Sequence, residues 1–444
     1  MNKKIMFSPV GGTDPMSESN YHDGALLHIA RHYLPDVIYL YMSKEILEKQ
    51  DQDDRYRYCI RKLGEKLNHS FEIREIERRE LEKVQLFDPI YTDFEQILDG
   101  ILSEMDETDE LLLNVSSGTP AMKSALFVLA TMVDIPCQCI QADTPDKKMN
   151  QQQHSKEYDV EERWELNPDN GYRPSDENYN RTHAERLVSL KRLKYEEIIK
   201  KHVLSYNYHA ALVLAEDMGT EKTSAYLTKL KLADARKQLD FPAVNKLVVG
   251  QKKEVYSPVR DDEKRMVYEY MLNLQTKAIC REYADFVRAV SPLLVDLFEQ
   301  ILKKQVGFDI DKYTYIKDKT RYWDMKKLSA SGKFLKILNE KYYDRFEGKW
   351  VKSDHLNHLA EDLIKDDTIV RCIKKLRVVE REVRNLAAHN MVSVSDRWIK
   401  KQTGFTSGEI VDLIKEAFTY TSYNIDAALW NSYDAMNEDI IRSI

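Results

Sequence analysis

The feature that most constrains the fold is a change in hydropathy period part-way along the chain. Over residues 4–141, short apolar, β-prone runs alternate with longer stretches that carry apolar residues at three-and-four spacing. Strands alternating with helices in this way build βαβ units and a parallel sheet. The strands fall at 5–10, 37–42, 71–76, 111–115 and 137–141, with helices near 20–34, 44–67, 90–105 and 120–133. After residue 183 the pattern is helical throughout, over roughly 184–217, 221–239, 259–289, 292–306, 353–364, 367–389 and 408–441. Thr406-Ser407-Gly408-Glu409 has the form of a capping box that opens one of the last helices. Between the two styles lies a polar stretch with Gln151-Gln152-Gln153, Asn167-Pro168-Asp169-Asn170-Gly171 and Arg173-Pro174, rich in turn formers. The expected organisation is a Rossmann-like α/β domain over 1–143, a linker or irregular extension over 144–182, with room for one hairpin, and an all-α region over 183–444.

Composition narrows the class further. With 444 residues and 43% hydrophobic content the chain can bury two or three cores, and 14 Gly with 12 Pro exclude a collagenous or low-complexity protein. The longest apolar neighbourhood, 111–142, is interrupted by Gly118, Pro120, Lys123 and Asp134, so it lacks the roughly 20 uninterrupted residues of a membrane span. Five cysteines without paired metal spacing suit reduced thiols, and a soluble, cytoplasmic protein without a membrane partner is expected. The net charge of −7 is uneven, with −15 over residues 1–178 and +8 over 179–444. That surplus permits contact of the second part with a polyanion.

Two loops of the α/β part are built to receive a ligand. In Leu111-Leu112-Leu113-Asn114-Val115-Ser116-Ser117-Gly118-Thr119-Pro120-Ala121-Met122-Lys123 an apolar strand runs into two hydroxyls, a glycine and a proline suited to the first turn of a helix. Free backbone N–H groups at such a helix start can receive an anion such as phosphate, and Lys123 lies one turn in. An ordinary turn capped by Ser117 or Thr119 would use the same residues. The run is neither a P-loop nor G-x-G-x-x-G. A second loop, Ser8-Pro9-Val10-Gly11-Gly12-Thr13-Asp14-Pro15, follows the first strand. Its glycines allow close backbone approach, and Thr13 or Asp14 would read hydroxyls or base edges.

A third run sits near the end of a helix in the second part: Arg381-Glu382-Val383-Arg384-Asn385-Leu386-Ala387-Ala388-His389-Asn390. Arg384 offers a charged fork suited to phosphate oxygens, and His389 titrates near neutrality. Those groups suffice to cut RNA, whose 2′-hydroxyl attacks the adjacent phosphorus while the 5′-oxygen leaves. Residues five apart on a helix point ~140° apart, so the pair would share a cleft only where the helix meets its own copy across a two-fold axis. A surface arginine beside a carboxylate and a helix-capping histidine fit the same letters.

Taken in order, residues 8–15, Asn114 to Lys123 and Arg384-Asn385-Leu386-Ala387-Ala388-His389 resemble the CARF–HEPN ribonucleases that accompany type III-A CRISPR effector complexes, and the resemblance covers nearly the whole chain. It implies a homodimer whose N-terminal CARF domains bind a cyclic oligoadenylate made by the effector complex, a ring of six adenylates for this branch. Binding then activates C-terminal HEPN domains to cut single-stranded RNA, without a metal or other cofactor, as an allosteric step in antiviral defence. Carried onto matching positions, Arg384, Asn385 and His389 are the nuclease residues. Gly12, Thr13, Asp14, Asn114, Ser116, Ser117, Gly118 and Thr119 are the activator-binding residues. Some members of that family also hydrolyse their activator in the CARF domain. The alternative is a nucleotide-sensing regulator whose helical domain binds nucleic acid or protein without cutting it.

The remaining candidates read as structural. His28 and His32 lie four apart, which suits zinc, but no third ligand accompanies them, and they are expected on the solvent side of their helix. Of 26 tyrosines, 17 follow residue 178, where helix packing would occupy most and some would be free to stack on unpaired bases.

Overall fold

The structure, a computed structural model, describes residues 2–444 except 134, 145–157, 173–178, 186, 220–223, 319, 343–345, 349 and 388–392. The chain folds into two compact units, Met1–Lys194 and Tyr195–Ile444.

The first unit is Rossmann-like. Its strands are β1 (Lys4–Pro9), β2 (Val37–Ser43), β3 (Glu72–Arg78), β4 (Glu110–Asn114), β5 (Gln138–Ala142) and β6 (Thr182–Glu185), in the spatial order β3-β2-β1-β4-β5-β6. All pairs are parallel except β5 with β6. Helices α1 (Ala25–Tyr33), α2 (Lys44–Asp53), α3 (Arg55–Leu67), α4 (Phe87–Glu104), α5 (Pro120–Met132) and the short α6 (Val160–Glu165) complete it. The central strands are apolar on both faces because both faces are covered. Successive side chains alternate between them. Met6, Ile38, Leu40 and Leu112 pack with α1 and α3 residues such as Leu26 and Ile60, whereas Phe7, Tyr41, Leu111 and Leu113 pack with Phe94 and Leu126 of α4 and α5.

All five sequence-derived strands sit within two residues of where they are expected; of the helices, α1 starts only at Ala25, since residue 20 still lies in a turn, α4 starts three residues early at Phe87, and the run expected over 44–67 is divided at Asp54 into α2 and α3. Strand β6 differs. Thr182-His183-Ala184-Glu185 has no apolar alternation, and it is a strand because β5 offers it an antiparallel edge. The polar stretch before it is also partly ordered, since α6 is capped by Asp159 and a short 3-10 turn, Pro168–Gly171, by Asn167. These turns are anchored to α1 through Asp23. Arg31 grips Asp23 with Nε at 2.7 Å and Nη2 at 3.1 Å, and Asn167 donates to Asp23 Oδ1 at 2.7 Å.

The second unit is helical: the later part of α7 (Val188–Leu204), then α8 (Tyr208–Met218), α9 (Ser224–Lys237), α10 (Phe241–Leu247), α11 (Lys253–Tyr256), α12 (Asp262–Ile279) and α13 (Tyr283–Val306). An unexpected hairpin follows, β7 (Thr314–Lys317) and β8 (Thr320–Trp323). After it come α14 (Met325–Ser331), α15 (Lys333–Lys341), α16 (Ser353–Leu363), α17 (Asp367–Ala387), α18 (Asp396–Thr403), α19 (Ser407–Thr419) and α20 (Ser432–Ile441). The expected break between 289 and 292 is absent, and α13 runs through Pro292. A proline inside a helix costs about 3 kcal/mol. Burial of Phe286, Val290, Leu293, Leu294, Leu297 and Ile301 on one continuous stripe outweighs that cost. Helix α13 thereby packs against α12, α16, α17 and α19. Among the described residues no helix is long and apolar enough to cross a membrane.

Arg236 of α9 and Glu269 of α12 form an ion pair deep in this unit, 1% exposed each, with Nε 3.0 Å from both carboxylate oxygens. The Arg236 guanidinium also donates to Ser432 Oγ at 2.7 Å and Val255 O at 3.0 Å, so it joins four helices, α9, α11, α12 and α20. Removing one partner strands a buried charge. Arg236→Ala should therefore lower the unfolding free energy in urea by about 3–5 kcal/mol, and the double change Arg236→Met with Glu269→Leu should recover most of it. A single-variant midpoint equal to the parent's would refute this account of the core.

Candidate functional site

Strands β1 and β4 are neighbours, but the chain leaves β1 towards β2 on one side and β4 towards β5 on the other. Where the order reverses in this way, a crevice opens beyond the carboxyl ends of the strands. Both loops singled out in the sequence arrive there.

Asn114 closes β4 and is fully buried. Its Nδ2 donates to Ser8 Oγ (2.8 Å) and Ser117 Oγ (2.9 Å), while its Oδ1 accepts from the backbone N–H of Ser116 (2.9 Å) and Ser117 (3.2 Å). One amide thus folds the loop over the strand end and ties it to β1. Ser116 Oγ accepts from Ala142 N at 2.7 Å, which extends the tie to β5. Thr119 caps α5, accepting weakly from Met122 N (3.4 Å) and donating to Val84 O (2.7 Å). Between them Gly118 has φ +83°, and a Cβ there would come within 2.9 Å of Pro9 Cβ. Only glycine meets both requirements.

The first loop is fastened by Asp14, 4% exposed. Its Oδ2 accepts from Gly11 N (2.9 Å) and its Oδ1 from Leu26 N in the first turn of α1 (3.0 Å). Burial pushes the Asp14 carboxyl above its usual range, against the opposing pull of those two N–H groups, the Ser117 hydroxyl and Lys123. The two loops touch, since a Cβ on Gly11 would lie 2.7 Å from Gly118 N. The structure thus brings Gly12, Thr13, Asp14, Asn114, Ser116, Ser117, Gly118 and Thr119 to one edge of the sheet. Within that group Asp14, Asn114 and Ser117 are buried and engaged in holding the loops together. Gly12 and Thr13 stand exposed, and Ser116, Gly118 and Thr119 are half-buried.

His28 is a correction to the sequence reading. It is 1% exposed, not solvent-facing, because its Nε2 accepts from the backbone N–H of Arg181 (3.0 Å) in the segment leading into β6. Asp23, His28 and Asp169 have ligand atoms within 4.8 Å of one another, a grouping that invites a metal. The chemistry speaks against one. His28 Nε2 already accepts a hydrogen bond, so the neutral ring carries its proton on Nδ1, and Arg31 and Arg181 already supply positive charge to the two carboxylates. Burial first, with Arg181 next, holds the His28 imidazole pKa down to about 3.

In the second unit α17 presents Ile369, Cys372, Ile373, Leu376 and Val379 to the core. Glu380 continues that stripe with no exposure at all. Its Oε1 accepts from Ser353 Oγ of α16 (2.5 Å) and Ser291 Oγ of α13 (3.1 Å), and its Oε2 from Arg377 Nη1 (2.6 Å). Arg377 Nη2 in turn reaches Asp354 Oδ1 at 2.9 Å, and the Tyr342 hydroxyl donates to the same carboxylate. His358, 3.7 Å away, together with hydrogen bonds from Tyr342 and Arg377, holds the Asp354 carboxyl well below its usual range. Arg384 and Asn385 lie in the last turn of α17, with Arg384 one turn beyond Glu380; His389 lies outside the described residues. The sequence reading missed Glu380, Arg377 and Ser353. Only the position of Glu380 on the apolar stripe of α17 signals its burial in the sequence.

Residues 256–441 match the Cas_Csm6 HEPN domain, 72–180 the Cas_Csm6 CARF domain and 186–237 the Csm6 6H domain. The chain belongs to the Csm6 endoribonuclease family. It is 28% identical over 99% of its length to the CRISPR system endoribonuclease Csm6 of Mycobacterium tuberculosis, covering 98% of that protein. To the Streptococcus thermophilus protein of the same name it is 26% identical, with 99% and 100% of the two chains covered. Among solved structures, Enterococcus italicus Csm6 bound to cyclic hexa-2'-fluoro-hexa-dAMP shares the fold, with a TM-score of 0.68 at 20% identity over 100% of both chains. In Csm6 terms, the loop after β4 lies in the CARF match and the end of α17 in the HEPN match.

The start of α16 makes a pH-dependent structure. His355 is 5% exposed, and its Nδ1 accepts from Trp323 Nε1 (2.9 Å) and Lys352 N (3.2 Å). A proton on Nδ1 would abolish both bonds, and burial holds the pKa down to about 4. The folded state therefore takes up this proton later than the unfolded chain does. Stability from this site is complete above the unfolded value of about 6.5 and is lost as pH falls towards 4, by up to about 3 kcal/mol. Urea unfolding should show the gap between the parent and His355→Asn narrowing or reversing between pH 7.5 and 4.5, because asparagine keeps an acceptor that does not titrate. A gap independent of pH would contradict the assignment.

Proposed function

We propose that this chain is a metal-independent, single-stranded-RNA endoribonuclease, switched on when a cyclic oligoadenylate binds the CARF loops of a homodimer in type III CRISPR defence. The observation that carries the reading is the meeting of the β1 and β4 loops, with Gly11 against Gly118, at the point where the strand order reverses. The N–H groups of Gly11, Ser116 and Ser117 are taken up by Asp14 and Asn114, which leaves exposed Gly12 and Thr13 and half-buried Gly118 and Thr119 as the small residues that border the crevice and let a phosphate backbone approach. The neighbour of the same fold is named as bound to a cyclic hexa-adenylate analogue, which favours six adenylates as the ring.

His389 takes the proton of the RNA 2′-hydroxyl, whose oxygen attacks the adjacent phosphorus. Arg384 balances the added negative charge and Asn385 orients the phosphate. The 5′-oxygen leaves with a proton supplied by imidazolium, from the same site or its two-fold copy, giving a 2′,3′-cyclic phosphate and a 5′-hydroxyl. The nucleophile is internal to the substrate, so no metal is needed to activate water. A ring on the dimer axis contacts both subunits and favours whichever relative orientation binds it better; that preference is the whole thermodynamic basis of activation.

The test is a fluorogenic RNA in EDTA with cyclic oligoadenylates of three to six units added singly. The hexamer should activate, and His389→Ala or Arg384→Ala should lower the cleavage rate at least a hundredfold while leaving activator binding intact. Gly118→Val should raise the activator concentration for half-maximal cleavage without changing the rate at saturation. Activator binding with no cleavage by the parent protein would replace this reading with that of a non-catalytic regulator.

A further inference from the structure

The hairpin β7–β8 carries an outward row of aromatic rings. Tyr315 pairs with Tyr322 across the hairpin, their rings stacked at 5.7 Å and 21°. Tyr322 is bridged on its other side to Trp350, and Val351 N donates to Arg321 O at 2.8 Å beside it. Residues directly opposite in antiparallel pairing project to the same face, so Trp350, joined to the two-stranded hairpin by a single bridge, adds a third ring to the ladder face that bears Tyr315 and Tyr322. The opposite face is packed at its Trp323 end, where Trp323 is 2% exposed and bonded to His355, and open towards the turn, where Ile316 is 71% exposed. On the ladder face Tyr315 is 47% exposed and Trp350 45%.

The chemistry around the ladder selects its occupant. Lys317 and Lys352 each lie two residues from a ring, on the same face, and Lys352 Nζ sits 5.0 Å from the Trp350 centroid. Residues 312–352 hold twelve lysines and arginines against five aspartates and glutamates, in a chain whose overall charge is −7. Flat rings flanked by cations, on a concentrated positive segment, match unpaired bases on a phosphate backbone. The strand of Trp350 leads within three residues to Ser353, which binds Glu380 one turn before Arg384. Three residues reach at most ~11 Å and a helical turn rises ~5 Å, so one short single strand would span the ladder and the end of α17.

We propose that Tyr315, Tyr322 and Trp350 form a stacking platform that holds unpaired bases of the RNA cut at the end of α17. The inference rests on the ribonuclease reading for the identity of the strand, and its test separates the two. The full chain and its Tyr315→Ala, Trp350→Ala and doubly substituted variants are titrated with a fluorescent 2′-O-methyl oligoribonucleotide, which has no free 2′-hydroxyl to attack. Cleavage of the unmodified strand is followed at saturating cyclic hexaadenylate. The double variant should bind about tenfold or more weakly and show a matching rise in KM with kcat within twofold, while Tyr315→Phe and Trp350→Phe stay near the parent. Unchanged binding in the double variant, or equal losses in the phenylalanine variants, would overturn the platform. So would a drop in sedimentation mass of the alanine variants, which would make the ladder a contact between copies of this chain. Binding of the blocked strand reads the ladder even where the parent cleaves nothing, so the two readings fail separately.

Discussion

The parallel pairing of β1 with β4 is the constraint on which the first unit depends. Phe7 lies opposite Leu113, which sets Ser8 beside Asn114 and lets the buried amide bridge the strand ends at 2.8 Å. From that bond follow the shape of the second loop, the position of Gly118 and the close approach of Gly11. A slip of one residue would turn Asn114 to the other face and remove all of these at once. The site is thus a consequence of register, and register is set by two apolar strands buried on both sides.

The second unit uses burial differently. Helix α17 carries an ordinary apolar stripe for about three turns and then places a carboxylate on it. Glu380 is tolerated there because two hydroxyls and a guanidinium satisfy it, and those donors come from α13, α16 and α17 itself. A buried charge with fixed partners tolerates few alternative packings, so the network defines the position of the helix end that bears Arg384 and Asn385. The nearby His355–Trp323 bond fastens the hairpin to the start of α16, where the same network begins.

Much of the architecture was legible in the sequence because it rests on period. The runs at 5–10, 37–42 and 111–115 are apolar enough to be strands under any packing, and Thr119-Pro120 announces the start of α5. The loop residues were legible as a group, since both runs of small polar residues follow strands of one parallel sheet and so arrive at the same edge. What was not legible was the division of labour among them. Asp14 and Asn114 look like ligand-reading side chains in a string of letters, yet their partners are backbone groups and serines up to 106 residues away. Likewise His28 reads as a helix-surface residue until the segment at Arg181 folds over it.

The sequence by itself determined the two styles of the chain, the order of the first five strands and of the helices between them, and the residue types gathered at Ser8–Pro15, Asn114–Lys123 and Arg384–His389. Those are local properties, decided by side-chain period and backbone preference. Tertiary structure alone decided that β6 is a strand, that Pro292 lies inside a helix, that Glu380 is buried, and that Tyr315, Tyr322 and Trp350 stand in one row. Each of these depends on a partner distant in sequence whose burial or edge hydrogen bonds outweigh the local preference, and no window along the chain contains both halves of such a contact.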